Sequence, residues 1–207
     1  MKVQMALDRM TIDQALKLAK LASDSIDIIE VGTSLIKEYG LASVREIKKA
    51  FPELEVLADL KTMDEGAYEF KVAYEAGADI ATVMGASSID TLAACYRVAK
   101  EFNKTMLIDL MGVTEEKTGL LMPFNEAVFC IHSPTDQEEN HLIDHLLHFK
   151  QKFPEAKRLA VAGGINLEDF KKLKRLEPEI VIVGSAITKQ ENPGEAAKQF
   201  YLKKIGE

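Results

Sequence analysis

Short apolar runs alternate with longer segments of helical periodicity along the whole chain, and this alternation limits the possible folds more than any other feature. Eight runs rich in β-branched and aliphatic residues begin 21 to 32 residues apart, which leaves room for one helix and two short loops after each. The predicted strands begin near Val3, Ile28, Val56, Ile80, Met106, Ala127, Leu159 and Ile180. The pattern predicts eight strands with eight intervening helices.

Several of these runs are apolar throughout, for example Ile180-Val181-Ile182-Val183, which is typical of a parallel sheet covered by helices on both faces. With 207 residues, the chain is long enough for one α/β domain, a single (β/α)8 TIM barrel over residues 1–207. A doubly wound open sheet is the rival architecture. It usually has fewer strands and a glycine-rich loop after the first one, whereas here Leu7-Asp8-Arg9 ends that strand.

Charge and composition exclude several classes of partner. The net charge of −7 opposes general binding to nucleic acid, so a phosphorylated ligand would need a local anion site. Two cysteines, Cys95 and Cys130, lie in apolar segments without a paired spacing, and we expect both to be small buried residues. The sequence shows neither a signal peptide nor an apolar stretch of about 18 residues. We therefore expect a cytoplasmic protein without a membrane partner.

Ionisable residues recur where the predicted strands end. The carboxyl ends of barrel strands meet at one face, where charged groups are costly to desolvate unless they are paired or bind a ligand. A single acid at such a place is better interpreted as a helix cap, but the whole set predicts an active site. Its members are Asp8, Glu30, Asp59, Lys61, Asp64, Asp109 and His132.

Strand parity sharpens this prediction. If Ile29 and Val31 face the helices, Glu30 must face the barrel axis, and the same alternation places Asp59 and Lys61 on one inward side. Glu30 and Asp59 offer hard oxygen donors without a neighbouring thiolate or imidazole, which favours Mg²⁺ over zinc.

Glycines follow the last two strands, at Gly163-Gly164 and at Gly184-Ser185. Loops after these strands form the usual phosphate site of such barrels, although tight turns alone would also explain the glycines. His132, at the end of the sixth strand, is the best candidate for proton transfer. The other three histidines are predicted to lie on a solvated helix face; they are His141, His145 and His148.

These motifs together resemble the 3-hexulose-6-phosphate synthase family, a branch of the orotidine-monophosphate decarboxylase suprafamily whose mark is an Asp-x-Lys-x-x-Asp motif on the third strand. The resemblance runs nearly end to end. It rests on Leu7-Asp8, Ile28-Ile29-Glu30-Val31-Gly32-Thr33, Ala58-Asp59-Leu60-Lys61-Thr62-Met63-Asp64, Ala76-Gly77-Ala78-Asp79, Asp109, His132, Ala160-Val161-Ala162-Gly163-Gly164-Ile165 and Ile182-Val183-Gly184-Ser185-Ala186-Ile187.

The resemblance implies a lyase that condenses formaldehyde with D-ribulose 5-phosphate, reversibly, in the formaldehyde fixation of the ribulose monophosphate pathway. It implies Mg²⁺ on Glu30 and Asp59, an oxyanion steadied by Lys61, and a homodimer with sites at the interface that Asp64 reaches from the neighbouring subunit. Phosphate would be bound by Gly164, Gly184 and Ser185. Residue chemistry agrees, because Mg²⁺ and Lys61 would stabilise a 1,2-enediolate while His132 moves the C1 proton and Asp8 and Asp109 orient hydroxyls or the aldehyde.

Two other functions remain open. The related 3-keto-L-gulonate-6-phosphate decarboxylases form the same kind of enediolate, but they typically have Glu, Arg and Ala where this chain has Asp109, Thr135 and Leu60. A phosphosugar-binding barrel without turnover is the second alternative, since Ser133-Pro134 replaces the Thr-Gly that usually follows the histidine. The segment from Glu115 to Glu126 also looks short for a full helix, with Met122-Pro123-Phe124 interrupting it.

Overall fold

A computed structural model describes residues 1–133 and 141–205 of the chain. Eight parallel strands close into a barrel in sequence order, and β8 pairs with β1, so the open-sheet alternative is excluded. The strands are β1 (Lys2–Leu7), β2 (Ile28–Val31), β3 (Glu55–Thr62), β4 (Ile80–Met84), β5 (Thr105–Asp109), β6 (Val128–His132), β7 (Leu159–Ala162) and β8 (Ile180–Val183). The predicted (β/α)8 barrel is confirmed, and each predicted strand start lies within one residue of the observed one.

The helices cover the outer face of this barrel. They are α1 (Ile12–Ala22), α2 (Thr33–Tyr39), α3 (Ala42–Ala50), α4 (Gly66–Glu75), α5 (Ile89–Glu101), α6 (Glu115–Leu121), α7 (Leu142–Lys152), α8 (Leu167–Leu176), α9 (Ser185–Thr188) and α10 (Pro193–Ile205). The prediction of eight helices is wrong, because the described ranges contain ten. Gly40 adopts a φ of 57° and divides the β2–β3 connection into two helices, and Pro193 begins a second helix after β8.

Helix starts follow the capping signals in the sequence. Thr11 and Gln14 form a reciprocal capping box at the start of α1. The Ser88 hydroxyl accepts the N–H of Thr91 at the start of α5. The short α6 ends at Leu121, as its interrupted sequence predicts.

Side chains pack in two layers, inside and outside the barrel wall. Ile29 and Val31 of β2 belong to the outer layer under the helices, so Glu30 between them faces the interior, as the alternation predicts. The interior cluster comprises Ile28, Leu57, Ile80, Leu107, Val128, Cys130, Ala160, Ala162 and Ile180.

The two cysteines lie on different sides of the wall. Cys95 belongs to the outer layer on α5, whereas Cys130 belongs to the interior cluster. Both thiols are free and buried, as predicted. Burial raises the pKa of Cys95 to about 12 and raises that of Cys130 as well.

Ion pairs tie together the amino-terminal ends of the strands. Asp79, just before β4, accepts the N–H of Val56 and hydrogen bonds from Lys48 and Lys104. Asp27 repeats the arrangement before β2 by accepting the N–H of Val3 and a hydrogen bond from the Lys204 ammonium. This end of a (β/α)8 barrel contributes to stability, while the opposite end carries the chemistry.

No helix within residues 1–133 and 141–205 is both long enough and apolar enough to cross a membrane.

Candidate active site

Three predicted site residues from three strands form one hydrogen-bonded group at the carboxyl end of the barrel. Asp109 Oδ2, at the end of β5, accepts hydrogen bonds from Lys61 Nζ of β3 and from His132 Nδ1 of β6, each at 2.9 Å. Asp109 Oδ1 accepts the N–H of Met111 at 2.9 Å. The carboxylate is buried, and both of its oxygens accept hydrogen bonds.

The charges in this group fix its protonation states. Burial alone would raise the pKa of Asp109, but the hydrogen bond from His132 and the charge of Lys61 outweigh it and lower the pKa to about 2. Burial opposes the charge of Lys61, yet the neighbouring Asp59 and Asp109 raise its pKa. Because ionised Asp109 can only accept, Nδ1 of His132 carries a proton, and in the neutral imidazole Nε2 is then the lone-pair acceptor.

Asp59, on β3, is held at both carboxylate oxygens. Oδ1 accepts a hydrogen bond from Thr82 Oγ1 at 2.9 Å, and Oδ2 accepts one from Thr33 Oγ1 at 2.5 Å. Lys61 Nζ lies 3.3 Å from the same carboxylate. The predicted inward placement of Asp59 and Lys61 on one strand is confirmed, since both contact one network.

The third acidic group, Glu30, lies beside Asp59 in the barrel interior. Burial and the charge of Asp59 together raise the pKa of Glu30 to about 8, against a lowering hydrogen bond from Gln4 Nε2. Gln4 is fully buried, and its Oε1 has no hydrogen-bond partner among the residues that the structure describes. Two neighbouring carboxylates and an amide oxygen form an electron-rich group, in which the Lys61 ammonium contacts Asp59.

This donor set fits Mg²⁺. No group of three or more histidine, cysteine or acidic side chains suited to a metal occurs in the part of the chain that the structure describes. Mg²⁺ commonly takes one or two protein carboxylates and completes its octahedron with water and substrate oxygens. Glu30 and Asp59 meet that requirement, and a cation between them would relieve the repulsion that disfavours ionised Glu30.

Asp8 follows β1 at the edge of this site. Its Oδ1 accepts the hydroxyl hydrogen of Ser34 at 2.7 Å and the N–H of Ser34 at 3.1 Å. A Cβ on Gly32 would lie 2.3 Å from the Asp8 carboxylate, so only glycine leaves room for this side chain. The charge of Asp8 also reaches Glu30, whose pKa it raises, which places Asp8 in the same electrostatic environment.

The glycines in the loops after β7 and β8 differ in the space around their missing Cβ atoms. A Cβ on Gly163 would lie 2.3 Å from the carbonyl oxygen of Ser133, so the close approach at Gly163 is to the chain's own backbone. Gly164 adopts a φ of 60°. Gly184 has open space around its missing Cβ and caps the short helix α9, which begins at Ser185. A short extra helix after β8 is the usual place of the phosphate site in such barrels.

Some predicted residues lie apart from the network. Asp64 is exposed and accepts the N–H of Glu65. His145 and His148 are exposed on α7, as predicted, whereas His141 precedes that helix as its N-cap. The predictions that concern Pro134 and Thr135 lie outside the described residues.

Sequence reasoning missed the neutral groups that hold the charged ones. Thr33, Thr82, Ser34 and Gln4 each hydrogen bond to a site carboxylate. Hydroxyl and amide side chains occur throughout a sequence, so their type alone gives no signal. Gln4 and Thr82 lie in the middle of β1 and β4, and Thr33 and Ser34 begin α2 just after β2; these positions were the available clue.

The closed barrel and its acid–lysine–histidine site place the protein among (β/α)8 barrels with a charged site at the carboxyl end of the strands. The model of the orotidine 5'-phosphate decarboxylase / HUMPS family matches residues 1–200, and the chain belongs to this family.

Comparison with individual proteins narrows the similarity. The chain is 38% identical to the 3-hexulose-6-phosphate synthase of Bacillus subtilis, with 97% of each chain covered. The crystal structure of 3-hexulose-6-phosphate synthase from Salmonella typhimurium superposes with a TM-score of 0.94 at 36% identity, with 99% of each chain covered. The 3-keto-L-gulonate-6-phosphate decarboxylase of Vibrio cholerae gives 0.87 at 28% identity, with 99% and 97% covered.

Proposed function

We propose that the protein is an aldehyde-lyase that condenses formaldehyde with D-ribulose 5-phosphate to 3-hexulose 6-phosphate, reversibly. The observation that carries this proposal is that Lys61 and His132 both hydrogen bond to the buried carboxylate of Asp109. The chain that holds this group is 38% identical, over nearly its whole length, to a 3-hexulose-6-phosphate synthase. The reaction removes a proton from C1 of the sugar and forms a bond between C1 and the formaldehyde carbon. The formaldehyde oxygen then takes up a proton.

Glu30 and Asp59 are the residues that would hold Mg²⁺. When bound, Mg²⁺ would supply positive charge beside the oxygens of the substrate. The hydroxyls of Thr33 and Thr82 already orient the Asp59 carboxylate, so little rearrangement is needed to bind a cation.

His132 is the residue best suited to take the C1 proton. Its Nδ1–H is held by ionised Asp109, which leaves Nε2 free of that proton and stabilises the imidazolium that forms. Lys61 is unsuited to this role because its raised pKa keeps it protonated. Its fixed charge instead stabilises the enediolate as negative charge develops on the sugar oxygens.

The opposite end of the substrate would lie at the loops after β7 and β8. The N–H groups of Ser185 and Ala186 precede the first hydrogen bond of α9, which Ile187 N–H makes to the Gly184 carbonyl, and the space beside Gly184 is open. Together with Gly164 and Ser185 they offer the phosphate a neutral donor site in an otherwise acidic protein. Asp8 and its partner Ser34 would orient a sugar hydroxyl.

A homodimer is part of this proposal, with Asp64 of one subunit reaching the site of the other. Asp64 lies on the exposed segment after β3, between Met63 and Tyr68, whose surfaces are 53% and 64% exposed. Light scattering should therefore give twice the chain mass, and Met63→Asp should shift the protein toward a monomer with lower activity. A fully active monomer at the assay concentration would refute the dimeric site.

The central experiment supplies the purified protein with Mg²⁺ and ribulose 5-phosphate, with and without formaldehyde. Sugar consumption should require formaldehyde, while the C1 hydrogen should exchange with D₂O even in its absence. His132→Asn should abolish the exchange, and the exposed His145→Asn serves as the matched control. If the protein releases CO₂ from 3-keto-L-gulonate 6-phosphate faster than it forms the aldol product, the decarboxylase reaction would be assigned instead. Binding of ribulose 5-phosphate without hydrogen exchange would indicate a non-catalytic barrel.

A further inference from the structure

One buried hydroxyl, that of Thr82, makes two hydrogen bonds to the segment that carries Asp59 and Lys61. Thr82 lies on β4 and is 3% exposed. Its Oγ1 accepts the N–H of Lys61 at 2.9 Å and donates to Asp59 Oδ1 at 2.9 Å. A single atom therefore connects a backbone position to a side chain two residues earlier.

The backbone of Lys61 needs such a partner. Its φ is 49°, in the left-handed region, which is unfavourable for a residue with a Cβ. The register of β3 against β4 shifts between Ala58 and Thr62, so the ladder is interrupted at this position. The Thr82 hydroxyl accepts the N–H that would otherwise lack a partner from the ladder.

The same hydroxyl also restricts Asp59. A threonine in a strand has a restricted χ1, because two heavy atoms on its Cβ crowd the backbone. Its donor hydrogen is directed at Asp59 Oδ1, while Thr33 holds Oδ2 from the other side. The rotamer of Asp59 is thus fixed by two neutral donors from two neighbouring segments.

A similar arrangement occurs at the end of β1. Arg9 has a φ of 56°, its N–H is accepted by the Ser34 hydroxyl at 2.6 Å, and that hydroxyl donates to Asp8 Oδ1. In both places a hydroxyl from the following strand, or from the helix after that strand, joins a left-handed backbone position to a nearby site carboxylate. The repetition indicates that the arrangement serves the carboxylates.

We propose that Thr82 is a positioning residue that holds the Asp59 carboxylate and the Lys61 backbone in one geometry suited to a divalent cation and to the Lys61 ammonium. This inference rests on the proposed function only in taking Asp59 as a metal ligand. It assigns Thr82 no contact with substrate.

The test compares Thr82→Val, Thr82→Ser and Thr118→Val. Valine keeps the shape of threonine but removes both hydrogen bonds, whereas serine keeps the hydroxyl. Thr118, on α6, is a buried threonine whose hydroxyl donates to the Thr114 carbonyl at 2.9 Å, so its valine variant controls for the loss of a buried hydroxyl far from the site. Thr82→Ala replaces the valine variant if valine does not fold.

Mn²⁺ affinity, measured by electron paramagnetic resonance without substrate, is the first readout. Loss of an outer hydrogen bond to a metal ligand typically weakens metal binding about 10- to 100-fold, and we expect this range for Thr82→Val. Thr82→Ser should remain within about threefold of the unchanged protein, since the bonded hydroxyl is retained. At saturating metal, kcat of Thr82→Val should stay low, because the Lys61 backbone is also released.

Three outcomes would overturn the inference. The first is a metal affinity of Thr82→Val equal to that of Thr118→Val, and the second is an equal loss in the serine and valine variants, which would assign the effect to methyl packing. The third is an unchanged protein that binds no divalent cation. If the unchanged protein binds Mn²⁺ but does not condense formaldehyde, and Thr82→Val still weakens that binding, the proposed function fails while the positioning role of Thr82 stands.

Discussion

Replacing Asp109 by asparagine tests the group that joins Lys61 to His132. Asparagine keeps the size of the side chain but removes the negative charge. It presents either a neutral oxygen or an N–H₂ group to Lys61 and His132, which donate to Asp109. We expect a lower free energy of unfolding and a large loss of activity from this single change.

The magnitude follows from the pKa of the carboxylate. It lies at about 2, against 3.8 for an ordinary aspartate. At about 1.4 kcal/mol for each pKa unit, the ionised form of Asp109 contributes about 2 kcal/mol to folding, and its deep burial leaves little solvent screening. Because the folded pKa is the lower one, this contribution is present above the unfolded value and is lost as the pH falls toward 2.

Urea unfolding followed by circular dichroism measures this contribution. Asp109→Asn should lower the free energy of unfolding by about 2 kcal/mol at pH 7, and the difference should narrow toward pH 3. Asp24→Asn, at an exposed aspartate, is the control and should change stability by less than about 0.5 kcal/mol. In the exchange assay, kcat should fall at least about 100-fold, because His132 loses the partner that fixes its Nδ1 proton.

Two results would contradict this reasoning. If Asp109→Asn were as stable as Asp24→Asn, the hydrogen bonds to Asp109 would contribute nothing net to folding. If its exchange rate were unchanged, His132 would not depend on Asp109 for its tautomer, and the proton transfer would have to be assigned to another group.

Two further predictions concern other parts of the barrel. Asp79→Asn should lower the free energy of unfolding by about 1 to 2 kcal/mol at pH 7 while leaving kcat unchanged, since Asp79 accepts its three hydrogen bonds at the end opposite the site. Lysine contacts lower the pKa of Asp79 despite its burial, so the difference in urea unfolding should shrink as the pH falls below the ordinary 3.8; a difference unchanged at pH 3 would contradict this. Gly32→Ala should displace Asp8, because the new Cβ would lie 2.3 Å from its carboxylate, and should reduce kcat/KM at least about tenfold with the far-ultraviolet spectrum retained. An alanine variant with full kcat/KM would show that the position of Asp8 is unimportant.

The sequence predicts the fold and the inward face of the site well because both depend on periodicity. Alternation along a strand places Glu30, Asp59 and Lys61 on the interior side, and no tertiary information is needed for that inference. The number of helices is harder to predict from the sequence. Gly40 divides the β2–β3 connection into two helices through a positive φ, which glycine permits but does not require.

The details of the site depend on contacts between distant residues. The left-handed backbone of Lys61 and the register shift beside it leave no periodic mark in the sequence, and neither does the Thr82 hydroxyl that satisfies them. Gly163 shows the reverse problem. Its glycine is explained by the Ser133 carbonyl that passes close to it, a contact between two loops that are 30 residues apart in the chain.

The two thiols lie on opposite sides of the barrel wall, so their reactivity can be used to measure the opening of each side separately. Each thiol reacts only when its surroundings open, because burial keeps it both covered and protonated. Labelling at Cys95 would record the lifting of helices from the wall, and labelling at Cys130 would record separation of the strands themselves. Their two rates in one sample would therefore distinguish partial opening of the outer shell from rupture of the barrel, without any engineered probe.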